Sequence, residues 1–262
     1  MKHVLVTNDD GADSPLFRLL LEWLAPRVRL TIAAPASEQS WRGKSMTRHG
    51  EIETAEQIIA GQPATLVTGT PADCVNLGLY NLCSAADRPD LVISGINVGL
   101  NAGLGLLLAS GTVGACLEAN IAGLPGLALS QQLDRDTFMQ WDRTRAFEAG
   151  MFERLRRATN AALERIWSEF VANRPAEPVT WSLNLPFKPS TTGEDPVEIR
   201  RARLGHSFYE QCFVATGERR YRHQMQGLAI DTDPRSDLKV LETGVISASR
   251  IDIRDLAPAL DD

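Results

Sequence analysis

The sequence has few cysteines, no excess of basic residues and no long apolar run. Its four cysteines (Cys74, Cys83, Cys116 and Cys212) show neither a Cys-x-x-Cys pair nor a Cys/His ligand spacing, which argues against a zinc cluster and a disulfide framework. Lysine and arginine number 27 against 33 aspartates and glutamates, so the formal net charge is −6. A chain with this acidic balance is poorly suited to coating nucleic acid or anionic membranes, and we expect neither partner.

The lack of long apolar runs also indicates where in the cell the protein is expected. No run approaches the roughly 20 residues that a membrane-spanning helix needs. The stretch from Met1 to Thr7 meets the acidic pair Asp9 and Asp10 too early for a secretory signal peptide. We therefore expect a cytoplasmic protein. Its hydrophobic fraction of 44% and charged fraction of 23% are ordinary for globular chains, which excludes collagen, coiled coil and wholesale disorder.

Short β-rich runs alternate with helical stretches along the first two thirds of the chain. The predicted strands are His3–Thr7, Arg27–Ala34, Asp90–Ser94, Pro125–Ser130 and Trp181–Leu185. The predicted helices are Leu16–Ala25, Gly111–Ala122 and Arg143–Phe170. Strands that alternate with helices indicate βαβ units, so the sequence predicts an α/β fold with a mostly parallel sheet.

The pattern changes after Phe170. Val171–Pro178 has the composition of a linker, Lys188–Pro196 that of a loop, and Glu198–Ile253 contains short alternating runs without long helical periods. We expect residues 1–180 to form the catalytic core and residues 181–262 a smaller β-rich extension that takes part in oligomerisation.

The strongest local signal is the sequence Asn8-Asp9-Asp10-Gly11, directly after the first predicted strand. Two adjacent carboxylates repel one another, and this arrangement is costly unless they share a cation. Ligands that are all oxygen suit Mg²⁺, Mn²⁺ or Ca²⁺ better than zinc. An acidic turn or a helix cap is the simpler alternative for this segment taken alone.

Two further predicted strands also end in polar segments. Ser40 follows the second strand, and Asn97 and Asn101 follow the strand that begins at Asp90. Ligands of open α/β sheets bind beyond the carboxyl ends of the strands, so we expect these side chains to converge with Asp9 and Asp10. An asparagine in a glycine-rich loop can also be a simple turn residue.

Ser110-Gly111-Thr112 stands immediately before a predicted helix. A serine or threonine there is commonly a cap, but the free N–H groups of a helix start can also hold a phosphate. A divalent metal beside a phosphate-holding helix start suggests phosphoryl chemistry.

Four other patterns fail as functional motifs. Arg42-Gly43-Lys44-Ser45 has Glu38 where a P-loop requires its first glycine, and the glycines after Gly95 do not follow the dinucleotide-binding order. Asp231-Thr232-Asp233 resembles the opening of haloacid-dehalogenase-type phosphatases, but no βα series follows it, and we interpret it as an acidic turn. The five tryptophans are scattered and predict no stacking platform.

Five segments, in the order in which they occur, closely resemble the motifs of the SurE family. They are Thr7-Asn8-Asp9-Asp10-Gly11, Ala34-Pro35 through Ser40, Gly69-Thr70-Pro71-Ala72-Asp73-Cys74-Val75, Ser94-Gly95-Ile96-Asn97 through Gly103, and Ser110-Gly111-Thr112. The match is dense over about the first 130 residues. It implies a Rossmann-like sheet with helices on both faces and a smaller β-rich C-terminal part. It also implies a 5′-nucleotidase and acid phosphatase that hydrolyses nucleoside monophosphates.

The resemblance further implies roles for individual residues. The metal ligands, for one Mg²⁺ or Mn²⁺ per subunit, would be Asp9, Asp10, Ser40 and Asn97. The phosphate-side residues would be Asn101, Ser110, Gly111 and Thr112, and the catalytic residues would be Asp9, Asn101 and Ser110. The family's C-terminal hairpin exchanges between subunits, which implies a homodimer or homotetramer.

The chain departs from the family pattern near this site. Leu100 stands where relatives usually carry proline, Gly105 where they carry aspartate, and Ala109 where they carry an aromatic residue. These departures leave a second function open, a nucleotide-binding sensor of the same fold with weak or no catalysis. A structural or assembly role of the C-terminal part is a third.

Overall fold

The computed structural model describes residues 3–172, 177–188 and 197–256, which form one large sheet with flanking helices. The strands within these residues are β1 (His3–Thr7), β2 (Arg29–Pro35), β3 (Thr54–Ile59), β4 (Gln62–Val67), β5 (Leu91–Val98), β6 (Gly126–Gln131), β7 (Thr180–Leu185), β8 (Ile199–Arg201), β9 (Phe208–Tyr209), β10 (Phe213–Gly217), β11 (Arg220–His223), β12 (Leu228–Ala229) and β13 (Ile246–Ile251). The helices are α1 (Pro15–Leu24), α2 (Pro71–Leu77), α3 (Leu104–Ala109), α4 (Gly111–Ile121), α5 (Arg135–Thr144), α6 (Ala149–Ile166) and α7 (Asp237–Glu242).

The main sheet has nine strands in the order β3-β4-β2-β1-β5-β6-β7-β13-β8. The strands from β4 to β7 in this order run parallel, whereas β3 pairs antiparallel with β4, and β13 antiparallel with β7. The expected mostly parallel α/β sheet is therefore confirmed. β1 pairs with β2 on one side and with β5 on the other, so the strand order changes direction there. Such a switch point opens a crevice at the carboxyl ends of the strands.

Helices cover both faces of the sheet, and the side chains of β1 alternate between the hydrophobic clusters on these two faces. Val4 and Val6 belong to a cluster that includes residues of α1 and α6. Leu5, between them, belongs to a second cluster with residues of α2 and α4. The period of two along a strand sends successive side chains to opposite faces. All five residues of β1 are buried, so this strand holds the polar segment after it in a rigid setting.

Two of the free cysteines lie in this core. Cys74 and Cys116 are fully buried, in α2 and α4. Burial raises the pKa of the Cys116 thiol to about 12. Thiols with a raised pKa are poor nucleophiles and metal ligands, so both residues act as small hydrophobic side chains.

The predicted strands and the two short predicted helices occur within a few residues of their expected positions. The helix expected over Arg143–Phe170 is confirmed from Ala149 onward, but it begins later than expected. Arg143 and Thr144 belong to the end of α5, and Arg145 follows them in the left-handed conformation with φ of 53°. The hairpin of β3 and β4 was not predicted, because the outer strand β3 is largely exposed and lacks an apolar run.

The C-terminal part contributes to the main sheet and also forms smaller structures. β7, β8 and β13 join the nine-stranded sheet. Two small antiparallel pairs, β10 with β11 and β9 with β12, stand apart from it, in agreement with the expected β-rich character. Parts of the expected linker (171–178) and loop (188–196) lie outside the described residues. Across the described part of the chain, every helix is too short or too polar to cross a membrane.

Candidate active site

Asp9 follows β1 directly and lies at the start of α4. Its side chain is 3% exposed. The Thr112 hydroxyl donates to Oδ1 at 2.7 Å, and the Thr112 backbone N–H donates to Oδ2 at 3.1 Å. The Gln39 N–H donates to the Asp9 backbone oxygen at 2.7 Å. The first turn of α4 and the segment after β2 therefore fix Asp9 together.

Asp10 points to the end of β5 instead. The Val98 N–H donates to its Oδ2 at 2.8 Å, whereas its Oδ1 is buried and has no hydrogen-bond partner among the described residues. A buried acceptor without a donor costs free energy comparable to a lost hydrogen bond. The described protein groups around Asp10 therefore leave one of its two carboxylate oxygens without a hydrogen-bond donor.

The electrostatics of the pair follow from burial. Burial raises the pKa of Asp9 above its ordinary range, and the hydrogen bonds from Thr112 oppose that rise. Burial raises the pKa of Asp10 well above its usual range, and the adjacent charge of Asp9 raises it further. A positive charge beside the pair would favour the ionised form of both carboxylates. A divalent cation at the pair would supply that charge.

Two neutral oxygen donors belong to the segments that meet this pair. Asn97 is the penultimate residue of β5 and is 8% exposed. Ser40 follows Gln39, the residue whose N–H holds the backbone of Asp9. Two carboxylates with neutral oxygens form a donor set that fits Mg²⁺ or Mn²⁺. Among the described residues there is no group of three or more His, Cys, Asp or Glu that could hold a metal, so any metal site here must include neutral oxygens.

Gly111 allows the helix start to approach this pair closely. A Cβ at that position would lie 3.0 Å from the Asp9 Cβ and 3.2 Å from the Gln39 backbone oxygen. Both distances are tighter than ordinary van der Waals contact, so a larger residue would push α4 away from Asp9.

Asn101 lies on the neighbouring loop and is held by the next two strands. Its Nδ2 donates to the Ser130 hydroxyl at 2.7 Å, and its backbone N–H donates to Asn184 Oδ1 at 3.0 Å. Ser130 and Asn184 are near the carboxyl ends of β6 and β7. Asn101 therefore belongs to the same sheet edge as Asp9 and Asp10, with its amide nitrogen already engaged.

Ser110 and Thr112 have different partners at the start of α4. The Ser110 oxygen accepts the Val113 N–H at 3.1 Å, so this residue is the cap that the simpler interpretation expected. Its own hydroxyl proton remains available to a ligand. Both donors of Thr112 are used by Asp9, so Thr112 orients the carboxylate. The phosphate-binding roles of both residues stay predictions.

The sequence did not reveal Asp237, which fastens the loop that carries Asn101. Asp237 is 1% exposed, and its Oδ2 accepts the Gly103 N–H at 2.7 Å. Its Oδ1 accepts the N–H groups of Gly205 at 3.1 Å and Leu238 at 2.9 Å. Because Gly103 and Asp237 are 134 residues apart, only the folded chain shows the contact. Ser130 could have been found, since it lies at the end of a predicted strand.

Asp231 and Asp233 form an acidic turn neutralised by arginines, as interpreted from the sequence. Arg203 Nη2 lies 2.5 Å from Asp231 Oδ2 and 3.4 Å from Asp233 Oδ2. Arg235 Nη2 lies 3.0 Å from Asp233 Oδ2. Both carboxylates thus have cationic partners within the protein.

Gly105 and Ala109, two of the positions where the sequence departs from the resemblance, lie in contact with other segments of the chain. A Cβ at Gly105 would lie 3.0 Å from the Phe208 Cα and 3.2 Å from the Ser207 backbone oxygen, so the C-terminal segment packs where a side chain would otherwise stand. The Ala109 backbone oxygen accepts the Gly43 N–H at 2.9 Å, which joins the residue before Ser110 to the segment after Ser40.

Comparisons with known proteins agree with this architecture. The family described as Survival protein SurE matches residues 4–211. The 5′-nucleotidase SurE of Chloroflexus aggregans is 35% identical over 84% of this chain and 79% of its own length, and that of Methanosarcina mazei is 32% identical over 76% and 71%. The match to the 5′-nucleotidase SurE of Pyrobaculum arsenaticum is 41% identical over 48% of this chain, and the chain spans about half the length of that relative.

A solved structure of a SurE protein matches almost the whole chain. The crystal structure of the SurE protein from Aquifex aeolicus superposes with a TM-score of 0.69 and 25% identity, and covers 96% of this chain and 93% of that chain. The resemblance inferred from the motifs is confirmed, and the chain belongs to the SurE family.

Proposed function

We propose that this protein is a phosphomonoesterase that hydrolyses nucleoside monophosphates to nucleoside and phosphate, with one bound divalent metal ion per subunit. Several relatives carry the name 5′-nucleotidase, which supports the substrate class. The observation that carries the proposal is the pair of Asp9, which is buried, and Asp10, whose buried Oδ1 has no donor among the residues that the structure describes. A site of this kind suits a cation and, through it, an anionic substrate.

The residues that would hold the metal are Asp9, Asp10, Ser40 and Asn97, and Mg²⁺ or Mn²⁺ fits their oxygen donors. A divalent ion bound there supplies Lewis-acid polarisation of a phosphoryl oxygen and a lowered pKa for an attacking water. Asp10 Oδ1 is the strongest candidate metal ligand because it is buried and has no hydrogen-bond partner in the described part of the chain.

The protein's own groups would orient the phosphate. The Ser110 hydroxyl can donate to a phosphoryl oxygen while its oxygen accepts from Val113. The Gly111 N–H lies in the first turn of α4, where backbone donors have no partner within the helix. Thr112 holds Asp9 through two hydrogen bonds, so Asp9 keeps one orientation toward the reacting group. Asn101, held by Ser130, would approach the phosphate from the loop after β5.

Catalysis in this arrangement is mainly positioning and charge stabilisation. In-line displacement at phosphorus spreads negative charge over the equatorial oxygens. Fixed donors at Ser110 and the α4 start would stabilise that charge more than they stabilise the ground state. Burial of the site strengthens these interactions because water does not screen them.

We further propose that the chain acts in the cytoplasm as a homodimer or homotetramer. Support for the assembly comes from the hairpin of β10 and β11, which exposes large hydrophobic side chains. Phe213 is 58% exposed and Tyr221 is 69% exposed. Exposed hydrophobic residues grouped on one projecting element are typical of a protein interface.

The test is phosphate release by the purified protein with Mn²⁺, using AMP, GMP and an aryl phosphate. We expect release from all three, and loss of release on chelation or with Asp9→Asn. Asp13→Asn is the matched control, because the Asp13 side chain is 95% exposed and lies four residues further along the chain. Release that persists in Asp9→Asn or in the presence of a chelator would refute the metal mechanism.

The alternative is a nucleotide sensor, and the close packing around Gly105 favours it. With the C-terminal segment 3.0 Å from a would-be Cβ at Gly105, the loop of Asn101 is fixed against that segment. Equilibrium binding of AMP without turnover in saturating Mn²⁺ would support the sensor over the hydrolase.

A further inference from the structure

Trp41 lies in a short segment that is tied to the candidate site at both ends. On one side, Gln39 donates its N–H to the Asp9 backbone oxygen. On the other, Gly43 donates its N–H to Ala109, the residue before Ser110. Trp41 also follows Ser40, and neighbouring Cα atoms are about 3.8 Å apart. The indole therefore projects from the immediate border of the proposed metal and phosphate groups.

The backbone of Trp41 is unusual for a bulky residue. Its φ is +62°, in the left-handed region that glycine adopts freely and large side chains avoid. A conformation of this kind persists only where the surroundings enforce it, and such outliers gather at functional sites. The cost of placing tryptophan here points to a use for its ring.

The folded chain gives Trp41 aromatic neighbours that the sequence did not indicate. Its ring lies 5.0 Å from Tyr209 and 4.6 Å from His223, both in edge-to-face geometry. Phe213 contacts the same histidine at 5.7 Å. Tyr209, Phe213 and His223 belong to the C-terminal strands, so an aromatic cluster forms although the tryptophans themselves are scattered.

The cluster remains accessible after these contacts. Trp41 is 40% exposed and Tyr209 is 37% exposed. Edge-to-face neighbours hold an aromatic ring in place without covering all of it. A planar ligand can stack on a ring held in this way, and stacking tolerates every nucleobase because each has a π-face.

We propose that Trp41, supported by Tyr209 and His223, is the surface on which the base of the nucleotide substrate stacks. The inference rests on the proposed function, since it assigns a binding surface to the base of that same substrate. The base would bind beside the phosphate, across the Ser40–Gly43 segment. Recognition by stacking discriminates against phosphate esters that have no base, and favours the larger purines over pyrimidines modestly.

The test compares substrates with and without a base. Loss of one stacking side chain typically weakens binding by about ten- to a hundredfold. We expect Trp41→Ala to raise KM for AMP and GMP by that factor. The same variant should change kcat/KM for ribose 5-phosphate by a factor at least ten times smaller than its change in kcat/KM for AMP. Trp41→Phe should recover most of the affinity for AMP. Adenosine, which has the base and no phosphate, should inhibit the wild type competitively and the Trp41→Ala variant at least tenfold less strongly.

Tyr80→Ala is the matched control, because Tyr80 is 58% exposed and is not part of the aromatic cluster. We expect it to leave KM for AMP unchanged. Equal losses for AMP and ribose 5-phosphate in Trp41→Ala would overturn the proposal and show that the cluster only packs the C-terminal strands. If the wild type hydrolyses neither substrate, the proposed function fails separately. Calorimetric binding of AMP then decides the stacking: binding that depends on Trp41 supports it, and absent or unchanged binding overturns it.

Discussion

Replacement of Thr112 by valine tests how Asp9 is held. The Thr112 hydroxyl donates to Asp9 Oδ1 at 2.7 Å, and the two residues are 0% and 3% exposed. Valine has nearly the same shape and a similar helix propensity, so the change removes the donor and little else. The backbone N–H of residue 112, at 3.1 Å from Oδ2, stays in place.

The magnitude follows from the loss of one hydrogen bond to a buried carboxylate. Such bonds contribute about 1.5–3 kcal/mol, which corresponds to roughly a ten- to hundredfold change in an equilibrium constant. Groups that orient a metal ligand typically change metal affinity or activity by about the same factor. We therefore expect Thr112→Val to raise the Mn²⁺ concentration for half-maximal activity by at least about tenfold.

The assay is phosphate release from AMP across a series of Mn²⁺ concentrations, with circular dichroism to show that the variant is folded. Thr112→Ser keeps the hydroxyl and should stay within about threefold of the wild type, because only a methyl group is lost. A Thr112→Val enzyme with unaltered Mn²⁺ dependence would refute the account of Asp9 positioning.

Three further predictions concern the supports around the site. Asp237→Asn puts an amide donor against an existing N–H, such as that of Gly103; we expect a loss of about 1–3 kcal/mol in the free energy of unfolding by urea denaturation and a higher KM for AMP. Gly105→Asp forces a Cβ to 3.0 Å from neighbouring backbone, and should lower stability by about 1–3 kcal/mol, measured the same way. Backbone N–H donors and Arg203 lower the pKa of Asp231 to about 2. Its contribution to stability is therefore present above about pH 4 and lost as the pH falls through 2, and Asp231→Asn should remove that part of the acid denaturation curve.

Each of these predictions has a result that contradicts it. Wild-type stability and KM in Asp237→Asn would show that the contact to Gly103 does not hold the loop. A Gly105→Asp variant at least as stable as the wild type would show that the C-terminal segment moves without cost. An unchanged acid transition in Asp231→Asn would show that the Asp231 carboxylate does not contribute to stability. Asp13→Asn, at an exposed surface position, provides the baseline for a surface carboxylate.

The sheet and the converging polar segments were predictable because both depend on local patterns. Buried strands produce continuous apolar runs such as His3–Thr7, and the residues after them must lie at the sheet edge. Asp9, Asp10 and Asn97 follow this rule, so their proximity could be expected before the structure was known.

The supports of the site depend on contacts between distant parts of the chain, which local patterns do not encode. Asp237 reaches Gly103 across 134 residues, and Tyr209 and His223 reach Trp41 from the C-terminal strands. The break before Ala149, where the helix expected from Arg143 actually begins, was missed because Arg145 adopts a left-handed conformation that its residue type does not favour.

The most direct test of the central claim is a crystal soaked in Mn²⁺ and phosphate, with data collected at a wavelength where manganese scatters anomalously. We expect one strong anomalous peak per subunit within bonding distance of Asp10 Oδ1 and Asp9, with phosphate between that peak and the start of α4. A peak elsewhere, or no peak at Mn²⁺ concentrations that saturate activity, would contradict it.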